Sequence, residues 1–459
     1  MAVTRQALPK LVLAGAAAAP ALFLLRALLL LRDLTRQDLP RSALLPVAAF
    51  AALFAVATAV FILALRLPAT RRANLALAVV SVAAVLYVAE VALSAGTIAG
   101  GGMWGDRLRA ARSMGATGAP AYPSMEPVSF VWSRATDGPR WLTVDGVPTL
   151  PLAERAHSRL VSCRDEPHGA WRAYQTDEHG FFNPGGAWER APVSLAAIGD
   201  SFTAGSCVPS ESSMVAGLRG RFPDVVNLGV PGSGPLLMLG VAEEYLPALR
   251  PRQVLWCHFA GNDLLDLRRE KGHPLLRRYL EDGFSQGLLT KQEGIDQAFD
   301  AYLDRYLRPE QVVRPSVLGY AVDVLALREL RSRVGLVFAD PSAGAPTEDE
   351  YALFASVLGR VQHRVAGWGG TLRFVYLPED EPRWHPARAA EVILARRVRE
   401  RTLAVVRRLS IPVIDVEAAF AAQPGDHALF ACRECHYTVA GYRVAAGAIL
   451  AALPDTAAP

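Results

Sequence analysis

Three long apolar runs in the first hundred residues set the first limit on what this chain can become. Leu11–Leu31 is apolar except for Arg26, Ala43–Leu65 is apolar throughout, and Leu75–Ala95 is apolar except for Glu90. Each has about the 20 residues that carry a helix across a hydrocarbon core of about 30 Å. Runs that succeed one another in this way are not a cleaved signal peptide. Residues 1–98 therefore read as a membrane anchor of three helices, 11–31, 43–65 and 75–95, the first interrupted by Pro20. Arg66, Arg71 and Arg72 in the second loop place that loop in the cytoplasm, which puts the amino terminus inside and everything after Ala95 outside. Arg32, Arg36 and Arg41, and Arg107, Arg109 and Arg112, pull the other way. Glu90 is a costly intramembrane charge. It is expected to snorkel near a helix end or to face another helix, or else to mark a functional site.

The remaining sequence has a different character. Residues 99–127, rich in Gly, Ala, Ser and Pro, read as a linker. Residues 128–190 scatter Trp, Tyr and Phe among turn residues and read as a cover of short strands over a sheet edge. From 191 the pattern alternates. Strands are expected at 193–198, 224–228, 253–259, 371–377 and 411–416, with helices at 238–249 and 439–453. Such alternation predicts an α/β domain with a parallel sheet and helices on both faces. A helical insertion, 264–348, interrupts it after the third strand.

Charge and cysteine content narrow the function classes. A net charge of +4 is small for 459 residues, and no basic stripe with interleaved aromatics occurs, so no nucleic acid partner is expected. The five cysteines leave at least one unpaired within the chain. Cys163 and Cys207 could bridge in an oxidising space. Cys257 lies in an apolar run and reads as a buried thiol. Cys432-Arg433-Glu434-Cys435 has the spacing of a redox or metal pair. No second pair at zinc spacing accompanies it, so no metal is expected.

Three expected strand ends carry the chemistry. The first delivers Gly199-Asp200-Ser201, the second the turn Gly229-Val230-Pro231-Gly232, the third Gly261-Asn262-Asp263. Open α/β sheets hold ligands at that edge. Acyl transfer needs a nucleophile, a base for its proton and donors aimed at the developing oxyanion. Ser201 is the candidate nucleophile, although an Asp-Ser pair also serves simply to start a turn or cap a helix. The Ser201 backbone N–H, the Gly232 amide and the Asn262 side-chain amide are the candidate oxyanion donors. His436, just before the closing helix, is the candidate base. Asp200 and Asp263 read as loop-shaping hydrogen bonders.

Four blocks in this order resemble the SGNH, or GDSL, hydrolase superfamily: Gly199-Asp200-Ser201-Phe202, Asn227 to Gly232, Gly261-Asn262-Asp263, and His436 to Tyr442. The resemblance implies a flavodoxin-like three-layer fold over 191–459 and a serine hydrolase that needs no cofactor. It departs at the acid. The family commonly carries Asp three residues before its His, and that position here is Arg433. Glu434, two residues before His436, resembles the Asp-x-His variant of some members, and could orient the imidazole through Nδ1–H. Asp426 and Asp415 are reserves.

The expectation is a multi-pass, membrane-anchored esterase with an extracytoplasmic, periplasmic-side domain. It would cleave an O-acyl or O-acetyl ester on a surface glycan or lipid. The alternatives are an O-acyltransferase using the same Ser/His machinery, with an acyltransferase or export partner in the membrane, and a non-catalytic glycan-binding module.

Overall fold

The structure, a computed structural model, describes residues 2–37, 39–99, 102–132, 140–164, 170–306, 317–333, 345–380, 389–423, 425–431 and 436–454. The chain divides into two compact units. One takes Met1–Gly102, Val313–Ala345 and Glu381–Arg397, and the other Met103–Val312, Pro346–Asp380 and Val398–Pro459.

The first unit is built on helices α1 (Ala2–Thr35), α2 (Arg41–Ala64) and α3 (Ala69–Ala99). Each contains a stretch long and apolar enough to cross a membrane. Their outward side chains include Leu22, Leu53, Val56, Val85 and Val88, all more than half exposed. A continuous apolar exterior of this kind suits hydrocarbon better than water. Pro20 does not end the first helix: α1 runs through it, as membrane helices tolerate.

Glu90 is fully buried and faces another helix. Its carboxylate accepts the backbone N–H groups of Glu329 and Leu330, each at 2.9 Å. These amides open the short helix Arg328–Arg333. The Tyr87 hydroxyl donates to Leu325 O at 3.2 Å. A buried carboxylate needs donors of this kind to offset the loss of water. The stretch expected as one insertion, 264–348, is therefore divided. Helices Val317–Leu325 and Arg328–Arg333 pack with α3, while 264–306 stays with the sheet. A second segment also joins the first unit, where Ala390 and Leu394 bury against Leu34, Leu39 and Ala43.

The second unit contains a five-stranded parallel sheet: β1 (Leu195–Gly199), β2 (Val226–Gly229), β3 (Gln253–Phe259), β4 (Thr371–Leu377) and β5 (Val413–Asp415). Its order is β5-β4-β3-β1-β2, which read from the other edge is the flavodoxin-like 2-1-3-4-5. Registers such as Ile198↔Leu228 and Ile198↔Trp256 tie the three strands that carry the motifs. The strands read as unbroken apolar runs because both faces are covered. Ala196, Ile198, Val254 and Trp256 enter one core, with the helices Pro235–Leu249 and Glu348–Ala366. Leu195, Ala197, Leu255 and Cys257 enter the other, with Met214–Leu218 and the closing helix Val439–Ala452. Cys257 is the buried free thiol that the sequence suggests.

The expected linker carries regular structure. Gly102–Ala116 is a helix, and Ala121–Pro123 pairs in parallel with the strand Arg159–Arg164. The buried Arg107 anchors the segment after that helix, donating to Ser124 O at 3.0 Å and to Glu126 at 2.9 Å. The cover segment closes the edge of the sheet at β2. The Asn183 side chain donates to Asn227 O and accepts from Asn227 N, both at 2.8 Å, as a neighbouring strand would. Asp177 steadies it, accepting from Asn183 Nδ2, Trp188 Nε1, and the amides of His179 and Phe181, each at 2.9 Å. An edge strand finished in this way offers no free ladder.

Candidate active site

The first motif sits where β1 turns into the short helix Ser201–Ala204. Asp200 caps that helix, its Oδ1 accepting Phe202 N at 2.9 Å. Gly199 has no room for a side chain, since a Cβ there would lie 2.1 Å from Thr203 Oγ1 and 2.8 Å from Cys257 O. The tight junction leaves Ser201 half-buried at the carboxyl end of the sheet. The second motif comes after β2, the neighbour of β1 on one side. Val230 N donates to Gly199 O at 2.9 Å and Ser233 Oγ to the same oxygen at 3.0 Å, so the turn is stitched to the first motif. Gly232 takes a left-handed φ of 75°, and a Cβ there would meet Val128 at 2.9 Å. The third motif comes after β3, the neighbour of β1 on the other side. Three adjacent parallel strands thus deliver Ser201, Gly232 and Asn262 to one edge, at the point where strand order reverses.

His436 completes the pair. Its Nε2 lies 2.8 Å from Ser201 Oγ. The loop is held on both sides of it: Ala431 N donates to His436 O at 3.0 Å, Thr438 N to Leu429 O at 2.9 Å, and Tyr437 Oη to Pro378 O at 2.6 Å. Thr438 then caps the closing helix. The imidazole packs on the Phe202 ring, centroids 4.8 Å apart. Burial pushes its pKa down to about 4, so the ring is neutral at neutral pH and able to accept the serine proton.

The other imidazole nitrogen meets sulfur. Cys163 and Cys207 are bridged, with Cα atoms 5.2 Å apart, and Cys207 Sγ stands 3.1 Å from His436 Nδ1. Cys163, Cys207 and His436 lie together closely enough to suit a metal ion. Thiolates are the ligands that such a site uses, however, and these two sulfurs are spent in the bridge. Glu434 lies outside the described residues, as do Cys432 and Cys435. Asp426 lies on the short turn Asp426–Leu429. Asp415 is engaged elsewhere, accepting from Arg399 and from Glu417 N.

Sequence reasoning missed one carboxylate that orders the site. Asn262 Nδ2 donates to Asp266 Oδ2 at 2.8 Å, and Arg269 donates to Asp266 Oδ1 at 2.8 Å. One Asn262 N–H is thereby fixed, which sets the direction of the other. Asp266 sits one helical turn after Asn262, an i, i+4 spacing that could have flagged it. Behind it lie buried carboxyls with raised pKa values: Asp266 at about 6 and Glu270 at about 8, both chiefly through burial, and Asp200 and Asp263 raised well above the usual range by burial and by their neighbouring acids. Glu270 accepts Gly234 N and Leu236 N at 2.6 and 2.8 Å, holding the start of the helix after the glycine turn. His258 is a buried core histidine whose Nδ1 lies 3.0 Å from Asp263 Oδ2.

This geometry sets two expected outcomes. The first concerns the oxyanion donor. Asn262→Ala should lower kcat by roughly 10²–10³, as loss of one preorganised oxyanion donor does. Asp266→Ala should cost roughly ten- to a hundredfold in kcat through misdirection of the same amide, with KM little changed, and Asp266→Asn, which keeps an acceptor, should recover most of it. Equal rates in wild type and Asp266→Ala would remove that role. The second concerns pH. The protonated imidazole cannot act as base, so activity is lost as pH falls through the His436 pKa. Burial alone sets that value near 4, below the 6.5 of an ordinary imidazole, and a carboxylate against the ring would raise it. In Glu434→Gln the acid limb of kcat/KM should therefore lie near pH 4, and in the wild type above it; equal limbs in the two would mean that Glu434 holds no charge near the ring.

The model of the GDSL-like lipase/acylhydrolase family matches residues 197–444. No curated protein matches the chain. Among solved structures, a lipolytic protein of the G-D-S-L family from Veillonella parvula is similar at 15% identity and a TM-score of 0.30, covering 57% of this chain and 97% of that one. A putative lipolytic protein of the same family from Desulfitobacterium hafniense is similar at 16% identity and a TM-score of 0.29, over 57% of this chain and 99% of that one. An acetylxylan esterase from Geobacillus stearothermophilus is similar at 13% identity and a TM-score of 0.30, over 59% and 98%. The family match spans more than half the chain and takes in Ser201, Gly232, Asn262 and His436, so the chain belongs to the GDSL-like lipase/acylhydrolase family and is a serine hydrolase acting on ester bonds.

Proposed function

We propose that the chain is a membrane-anchored extracytoplasmic esterase that removes an O-acyl or O-acetyl group from a surface glycan or lipid. The observation that carries the chemistry is the 2.8 Å contact between Ser201 Oγ and His436 Nε2 at the carboxyl edge of the sheet. Ser201 attacks the acyl carbonyl while His436 takes its proton, and the imidazolium then returns a proton to the leaving alcohol. Water repeats the sequence on the acyl-serine. The Ser201 amide, the Gly232 amide and Asn262 Nδ2 hold the oxyanion. Glu434 supplies the negative charge that stabilises the imidazolium. Transfer to a sugar hydroxyl would run through the same acyl-serine.

The location draws support from two features. The Cys163–Cys207 bridge belongs to an oxidising compartment. Arg66, Arg71 and Arg72 between α2 and α3 favour a cytoplasmic loop, which leaves the carboxyl end of α3 outside.

The test of the chemistry is hydrolysis of short and long p-nitrophenyl esters by the purified full chain, with and without a sugar acceptor. Ser201→Ala should abolish it. Glu434→Gln should lower kcat by a factor of roughly tens to thousands, less than Ser201→Ala does, and Asp426→Asn should do less. The reverse order would make Asp426 the acid. The test of location is a reporter fusion at Pro127. Alkaline phosphatase there should be active, and an active cytoplasmic reporter in its place would reverse the orientation.

A further inference from the structure

A disulfide sulfur is an unusual neighbour for the Nδ1 of a catalytic histidine, and this one is held there firmly. The residues on either side of Cys207 are each pinned by a buried tyrosine. The Tyr442 hydroxyl donates to Ser206 O and the Tyr174 hydroxyl to Val208 O, both at 3.1 Å. Cys207 itself takes a φ of 71°, a left-handed conformation that strains a side-chain-bearing residue. Cys163 lies in the strand Arg159–Arg164, whose partner strand carries Tyr174. The strained backbone, the two tyrosines and the bridge together leave Sγ 3.1 Å from Nδ1.

The chemistry of that atom depends on its oxidation state. A disulfide sulfur has no hydrogen and can only accept. Facing Nδ1, it is compatible with the Nδ1–H tautomer, which leaves the Nε2 lone pair for the Ser201 hydroxyl. A thiol carries a hydrogen and can donate it to Nδ1. That favours the Nε2–H tautomer, in which Nε2 has no lone pair to take the serine proton. A histidine held in the wrong tautomer loses most of its catalytic value even where geometry is intact.

We propose that Cys207 is a positioning residue for His436, and that the Cys163–Cys207 disulfide is the form that holds the imidazole in the tautomer able to accept the proton of Ser201. The enzyme is then active oxidised and slow reduced. A dithiol switches it off: two thiols of the reductant become one cyclic disulfide, and the Cys163–Cys207 bond becomes two thiols. The proposal rests on the reading of Ser201 as nucleophile and His436 as base.

The test measures phosphonylation of Ser201 by a fluorophosphonate, read by intact mass on the full chain in detergent, which requires no knowledge of the substrate. In Cys163→Ala the bridge is gone and Cys207 is a thiol. Labelling should slow by about ten- to a hundredfold, less than the 10⁴ of a fully imposed wrong tautomer because a thiol can also accept. Methyl methanethiosulfonate then converts Cys207–S⁻ to Cys207–S–S–CH₃ with release of methanesulfinate. This restores an acceptor-only sulfur without restoring the tether to Cys163, and labelling should return towards the wild-type rate. Cys163→Ala/Cys207→Ala should be slow and indifferent to the reagent. If Cys163→Ala does not fold, wild-type chain reduced by dithiothreitol after folding takes its place, with the same reagent restoring the rate. Wild-type labelling in Cys163→Ala would overturn the proposal, as would a folded, slow variant that the reagent does not rescue, because the bridge would then act only through the fold. Absence of Ser201 labelling in the oxidised wild type would instead remove the underlying reading.

Discussion

The hydrogen bond between Ser201 and His436 joins residues 235 apart in the chain, and most of the second unit can be understood as the means of bringing them together. The serine is placed by β1 and by the glycine that lets the helix Ser201–Ala204 start against β3. The histidine is placed from the other end of the domain, by a loop whose backbone closes on itself before the helix Val439–Ala452 begins. That helix buries Tyr442, Ala445 and Ile449 in the same core as Phe202 and Met214. Packing of the last helix and registration of the active pair are thus one event, and loosening either loosens both.

The surroundings of the pair cost stability. Asp200, Asp263, Asp266 and Glu270 are all buried close to the three strand ends, and burial raises every one of them. Each holds backbone or side-chain donors that shape a motif loop: Phe202 N, Phe259 N, Asn262 Nδ2, and the amides that begin Pro235–Leu249. A fold optimised for stability alone would not gather four acids there. Clusters of perturbed carboxyls mark sites where precise placement of a few polar groups outweighs their desolvation.

The legible part of this protein was whatever a local pattern specifies. Apolar runs gave the membrane helices and the five strands, because a strand buried on both faces has to be apolar along its length. The positions of Ser201, Gly232, Asn262 and His436 were legible because each belongs to a short block near a strand end or helix start, while their roles belong to the proposal. The illegible part depends on distant partners. Nothing near Glu90 announces that its carboxylate will meet the amides of residues 329 and 330, so the insertion 264–348 read as one piece. Residues 99–127 read as a linker because Gly, Ser and Pro weigh against helix, yet Arg107 and the pairing with Arg159–Arg164 order them. The Cys163–Cys207 pair was a matter of compartment in the sequence. Its place beside the imidazole comes only from the fold of the cover onto the loop after Ser201.

That place suggests a division of labour on the Nδ1 side of the ring. A sulfur in a disulfide carries no formal charge and is a weak acceptor. It can bias which nitrogen bears the proton, but it offers little to the imidazolium that forms when Ser201 attacks. In serine hydrolases the carboxylate performs both tasks. On the reading proposed above they are separable: the sulfur would set the resting tautomer and Glu434, two residues from His436 in sequence, would be left the electrostatic part. The low pKa that burial imposes on His436 makes that second part the more demanding one, since a ring that resists protonation must still be protonated in the transition state. A negative charge near the ring matters more in this site than in one where the imidazole is open to water.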